Sequence, residues 1–121
     1  MYKKEKTKKE QSLKIRTAAE TFCIDKKDIL YIEASGSYAT ICCKGNYNIT
    51  ASKPLAAFGR ILSKRDFIRC HKSFLVNKNK LESLNKTKRE LNLSGGKKIP
   101  ISYRKLKKYK NIKGLITDVY I

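Results

Sequence analysis

A mainly β fold with one or two short helices is what this sequence predicts, and three features point there. Apolar and polar residues alternate in short runs, the period of a half-buried strand. Clusters of Gly, Asn, Ser and Lys separate those runs at close intervals. Helical spacing of apolar residues occurs in only two places, near residues 53–63 and 103–111. A chain of 121 residues is long enough for one domain around a single core.

Residues 1–12 are nearly all charged or polar, and the reading takes them as a basic disordered arm ahead of a folded domain over 13–121. Leu13, Ile15 and Thr17 alternate with Lys14 and Arg16. Ala18-Ala19-Glu20 then turns the chain into Thr21-Phe22-Cys23-Ile24, a first hairpin. After a polar break from Asp25 to Asp28, Ile29–Ala34 is a strand. Ser35-Gly36-Ser37-Tyr38 turns into a strand over Ala39–Cys43, and Lys44-Gly45-Asn46 turns again into Tyr47–Thr50, so that a meander forms.

At Ser52-Lys53-Pro54 the period changes. Ser52 is a candidate N-cap with proline in the first turn, and Leu55, Phe58 and Leu62 share one face of a helix over about 53–63. Phe67–Asn77 is the stretch around which the rest is organised. It mixes apolar and cationic residues without glycine or proline, holds the only histidine, and reads as a strand or strand pair with polar side chains turned to a partner. Leu81 and Leu84 mark a short strand before the charged turn Asn85–Lys88. Glu90–Leu93 and Lys97–Ile101 pair across Ser94-Gly95-Gly96, and Pro100 places the second at an edge. Ser102 caps a basic helix from Tyr103 to about Asn111, with Leu106 and Tyr109 inward. The tail over 112–121 is left between helix and strand.

Lys and Arg number 29 against 10 Asp and Glu, a formal charge of +19 with a pI near 10.0. Such an excess fits a polyanion, because each cation laid on a phosphate releases a condensed counterion. The N-terminus has no apolar core for a signal peptide, and no run has the ~18 apolar residues of a membrane span, so a cytoplasmic chain without a membrane partner is expected. The four cysteines and one histidine show no metal-ligand spacing, and neither metal nor cofactor is expected. Free cysteines acting as small buried apolar residues are the simpler reading, with the adjacent Cys42 and Cys43 on opposite faces of a strand. Cys70 beside His71 is the nearest approach to a catalytic pair. Neighbours on a strand face opposite ways, and no enzyme activity is expected.

Four pieces in register resemble the LytTR DNA-binding domain, the output module of many bacterial response regulators. They are Asp28–Ala34, the helix around Leu55–Leu62, the run from Phe67 to Asn77, and Ile99-Pro100-Ile101-Ser102-Tyr103-Arg104. The resemblance covers roughly Leu13 to Ile112. It implies about ten short antiparallel strands in three sheets, an elongated β-sandwich whose loops enter successive major grooves of repeated sites. Carried over position by position, base contacts fall on Tyr38 or Ala39, on Lys72 and on Arg104. Backbone contacts fall on the neighbouring polar residues Ser37, Arg69, His71, Ser102, Tyr103, Lys105 and Lys108. Lys72 and Arg104 suit guanine O6 and N7, whereas Tyr38 or Ala39 replaces a commonly basic or imidazole side chain and reads by contact or shape.

Some of these residues have plainer readings. His71 fits a partly buried, hydrogen-bonded position, and Arg69 fits a brace to a carboxylate such as Glu33. Many family members carry a receiver domain, for which this length leaves no room, so a stand-alone bacterial transcription regulator is expected, with control by a regulatory protein partner as one option. It would be monomeric when free and bind double-stranded DNA as two copies. The alternative from charge and size is a small basic RNA-binding or ribosome-associated protein.

Overall fold

Alternation, turn chemistry and two short amphipathic faces supply the local elements of the scaffold. In the computed structural model, which describes residues 11–109, ten strands form three antiparallel sheets with two short helices. Residues 1–10 of the expected arm and residues 110–121 lie outside the described residues. Ser12, assigned to the arm by sequence, is the first residue of a strand.

Strands β1 (Ser12–Arg16) and β2 (Thr21–Asp25) make the first hairpin. Its turn is closed by Thr17, whose backbone N–H donates to the Glu20 carbonyl at 2.8 Å and whose hydroxyl donates to the same oxygen at 2.9 Å. The meander follows as β3 (Ile29–Ser35), β4 (Tyr38–Cys43) and β5 (Tyr47–Ala51). The organising stretch resolves into two strands, β6 (Phe67–His71) and β7 (Phe74–Asn77). Together these five form the central sheet in the order β5-β4-β3-β7-β6. Strands β8 (Leu81–Asn85), β9 (Glu90–Leu93) and β10 (Lys98–Pro100) form the third sheet, with proline-bearing β10 at its edge as the sequence predicts.

The expected single core is divided in two by the central sheet, because period-2 alternation sends successive side chains to opposite faces. One face carries Ile32, Ile41 and Cys43 and packs against the β1–β2 hairpin and helix α1 (Leu55–Ile61). The other carries Tyr31, Cys42 and Ile68 and packs against the third sheet and helix α2 (Tyr103–Tyr109). Cys42 and Cys43 thus fall on opposite faces, as adjacency in a strand demands. Ile29 and Ile32 share a face although three residues apart, because the register with β4 shifts between Ile29 and Tyr31.

Two local expectations are corrected. Helix α1 is shorter than residues 53–63, and Ser52 does not cap it. Pro54 itself takes the N-cap position in an extended conformation, with no side-chain cap. Helical angles are disfavoured for a residue before proline, which keeps Lys53 out of the helix. Cys23 is exposed, unlike the other three cysteines. Asn77, the buried polar side chain of the described residues, ties β7 to β3. Its Nδ2 donates to the Ile29 carbonyl at 2.8 Å and its Oδ1 accepts from the Asn79 N–H at 2.9 Å.

Candidate nucleic-acid interface

Antiparallel order decides which turns meet. The β3–β4 turn, Gly36-Ser37, and the β6–β7 turn, Lys72-Ser73, leave the same end of the central sheet because β3 pairs with β7. The Ala34 N–H donates to the Ser73 carbonyl at 2.9 Å and fixes the two turns side by side. Two strand spacings, about 10 Å, separate their centres. Next in the row comes the start of α2, joined to β6 by a bond from the Ser102 N–H to the Cys70 carbonyl at 3.0 Å. Tyr38, Lys72 and Arg104, far apart in sequence, therefore stand along one end of the sheet, and all three are exposed.

Each turn is made differently. Gly36 has φ +62 at the first position of its two-residue hairpin, where a side chain is strained. Ser37 beside it is exposed, and Tyr38 opens β4 half-exposed, at 50 %. Ala39, the other candidate at this position, is fully buried among the first core, and so it touches no partner. A one-residue step along a strand exchanges faces, and this step separates a contact residue from a core residue.

The Lys72-Ser73 turn has no glycine and no residue at positive φ. Side chains hold it instead. The Arg69 guanidinium donates through Nε to the His71 carbonyl at 3.0 Å and through a terminal nitrogen to the Lys72 carbonyl. Arg69 therefore braces the loop that presents Lys72, rather than pairing with Glu33. The His71 Nδ1 accepts from the Ser73 N–H at 3.1 Å, and the ring packs edge-on against Phe74 at 5.7 Å. His71 is partly buried and hydrogen-bonded, as its plainer reading has it.

A register shift between Arg69 and His71 makes Cys70 a bulge, so the alternation used to separate Cys70 from His71 does not apply here. Burial, not facing, disables the thiol. Cys70 has no exposed surface, lies 3.6 Å from the Pro100 carbonyl, and is pushed up to about 12 by desolvation. Burial likewise raises Cys42, and raises Cys43 to about 11. A thiol reacts as its thiolate, and at pH 8 each of these three stays protonated. Iodoacetamide at that pH should add one label per native chain, on exposed Cys23, and four after denaturation, read by mass spectrometry. A second fast-labelling cysteine would contradict this ordering.

At α2 the Ser102 hydroxyl accepts from the Lys105 N–H at 3.2 Å, the cap that the sequence predicts. Tyr103 is 59 % exposed, with the Arg89 guanidinium 5.9 Å and the Lys107 ammonium 5.5 Å from its ring centre. Lys105 is held below the usual lysine range by burial first, then by the neighbouring cations Lys108, Arg104 and Arg69. That set joins α2 to the β6–β7 turn as one cationic patch, whose mutual repulsion a phosphate would relieve.

Two cations that sequence reading did not single out reach the same end. Lys53 follows β5, which runs antiparallel to β4 and so finishes beside Tyr38. Arg89 lies in the β8–β9 turn at φ +54, and its carbonyl accepts from the Ile101 N–H at 3.0 Å. Strand parity signals the first; no local pattern signals the second. Among the described residues the ion pairs Lys27–Asp25 and Lys44–Asp28 lie at the opposite end. No metal-holding cluster occurs among the described residues, and no described helix is long and apolar enough to cross a membrane.

The comparisons agree with this architecture. A comparison with curated proteins gave no match. Among solved structures the chain is similar to the LytTr DNA-binding domain of a response regulator from Bacillus cereus. The TM-score is 0.71 and the identity 23%, over 83% of this chain and 94% of that one. The family model for the LytTr DNA-binding domain matches residues 19–114, most of the sequence, and the chain belongs to that family.

Proposed function

We propose that the chain is a non-enzymatic, sequence-specific transcription regulator whose Tyr38, Lys72 and Arg104 read base edges of duplex DNA in successive major grooves. Ser37, Arg69, His71, Ser102, Tyr103, Lys105 and Lys108 hold the phosphate backbone around them, with Arg69 acting also as the brace of the Lys72 loop. The observation that carries this reading is the convergence of two turns and the start of α2, which present Tyr38, Lys72 and Arg104, on one end of the central sheet. Two copies bind repeated sites and the free chain is a monomer. The large exposed apolar side chains of the described residues, Tyr38, Tyr47, Ile61 and Tyr103, sit on separate elements and make no dimer face. Sedimentation giving a stable dimer without DNA would overturn the monomer.

Reading and holding are separable by mutation. Arg104 can pair with guanine in two bonds, whereas Lys108 lies about one helical turn further along α2, where phosphate is the target. Arg104→Ala should cost roughly 1–3 kcal/mol on the preferred duplex with little loss on a scrambled one. Lys108→Ala should weaken both alike and reduce the salt slope by about one unit. Equal losses on both duplexes from Arg104→Ala would make it a phosphate contact.

A further inference from the structure

The other end of the central sheet holds a cavity that DNA reading does not use. It has a volume of about 560 Å³ and opens between the β4–β5 turn and the β9–β10 turn. One wall is the central sheet at Tyr31 and Cys42; the other is the third sheet at Ser94–Lys97, with Lys80 beside it. The β9–β10 turn leaves the mouth open because Gly95 and Gly96, both at φ +86, carry no side chain into it. Hydrogen bonds hold that turn in place, from the Leu93 N–H to the Lys97 carbonyl at 2.8 Å and from the Ser94 N–H to the Lys80 carbonyl at 2.9 Å.

The lining is charged in one sense only. It includes Lys44, Lys80 and Lys97 but no carboxylate. Lys44 is drawn to Asp28 at 3.2 Å, while among the described residues neither Lys80 nor Lys97 makes an ion pair. The Lys97 ammonium is set 5.5 Å from the centre of the Tyr31 ring, which holds it at the cavity. Asn46 and Asn48 add amide donors to the same wall. The volume falls in the range of small-molecule sites, roughly 300–1,000 Å³, and far exceeds the ~30 Å³ share of one water. Two ammonium groups outside any ion pair of the described residues, together with neutral donors, suit a compact group with several acceptor oxygens and more than one negative charge, which is a phosphate ester or diphosphate.

We propose that this cavity binds a small phosphorylated anion, held by Lys80 and Lys97 with Lys44 at the rim. Such a ligand would join the central sheet to the third sheet at the end away from Tyr38, Lys72 and Arg104. Duplex DNA offers the same phosphate chemistry but presents it along a wide rod, to which the turns at the opposite end are the accessible face.

The test is an amide NMR titration of the whole chain with inorganic pyrophosphate at 150 mM KCl, with a scrambled duplex as the second arm. Pyrophosphate should shift the amides of Gly45, Gly95 and Gly96 saturably while that of Gly36 stays, and the duplex should do the reverse. In Lys80→Gln/Lys97→Gln, with unchanged spectral dispersion, the pyrophosphate Kd should rise at least tenfold. Equal movement of Gly36 and Gly95 would mean general anion association and overturn the site. So would an unaltered Kd in the double variant, no saturation by pyrophosphate, or movement of Gly95 and Gly96 by duplex alone.

Discussion

Replacing Lys72 and Arg104 together with alanine is expected to bring affinity for the preferred duplex most of the way down to that for a scrambled one, leaving only the preference that Tyr38 supplies. Each base contact carries roughly 1–3 kcal/mol of discrimination, so the pair should remove about 2–6 kcal/mol. On a binding isotherm that is a loss of about 30-fold to 2 × 10⁴-fold. The scrambled duplex should lose only the two long-range charges and remain within about tenfold of its starting value. Lys72 sits on a turn braced by Arg69, and Arg104 on a helix tied to the same strand through Ser102 and Cys70. The two need not add, because they share that support. Both single variants belong in the same series. If the double variant still prefers the selected site as strongly as the parent chain does, base reading lies elsewhere, with Tyr38 as the remaining tip.

The largest stability effect is expected at Phe58. Helix α1 spans seven residues, far below the length at which an isolated helix survives in water, so tertiary packing must hold it. Phe58 supplies that packing at 2 % exposure, within the core that α1 shares with β3, β6 and β7. Phe58→Ala should cost about 3–5 kcal/mol by lost burial and by the cavity left behind. Domains of this kind hold about 5–15 kcal/mol in total, so much of the margin goes with one side chain. Ile61 on the same helix is 52 % exposed, and Ile61→Ala should change stability by no more than about 0.5 kcal/mol. Urea melts with unchanged m-values would establish both; a loss under about 1 kcal/mol at Phe58 would show that α1 is not what closes this core.

Much of the scaffold is legible because strands, turns and the helical face leave local marks. Gly36, Gly45 and the Gly95-Gly96 pair mark turns whose backbone needs positive φ, and alternation between them marks the strands. The errors are also local in origin. Ser52 has the chemistry of a cap, but Pro54 two residues later constrains the residue before it and starts the helix further on. Tyr38 and Ala39 differ by one step at a turn boundary, and only the register with Ser35 and Ala34 shows which faces out. The bulge at Cys70 has no glycine to announce it, so strict alternation fails at His71 without any local signal.

By itself the sequence determined that this is a basic, mainly β chain, and the order and spacing of four pieces, Asp28–Ala34, Leu55–Leu62, Phe67–Asn77 and Ile99–Arg104, carry its family resemblance. Periodicity and charge are properties of a chain read in one dimension, and they survive without knowledge of what pairs with what. Only the tertiary structure decided that Arg69 grips the carbonyls of His71 and Lys72, that Ala39 is interior, and that Lys53 and Arg89 reach the end where Arg104 stands. The Arg69 bonds close within its own turn, across two and three residues, while the other facts follow from strand order and register, which join residues distant in sequence through hydrogen bonds that every strand-forming backbone can make. Which of those bonds form is settled by burying both faces of the central sheet at once, a condition on the whole chain that no single stretch records.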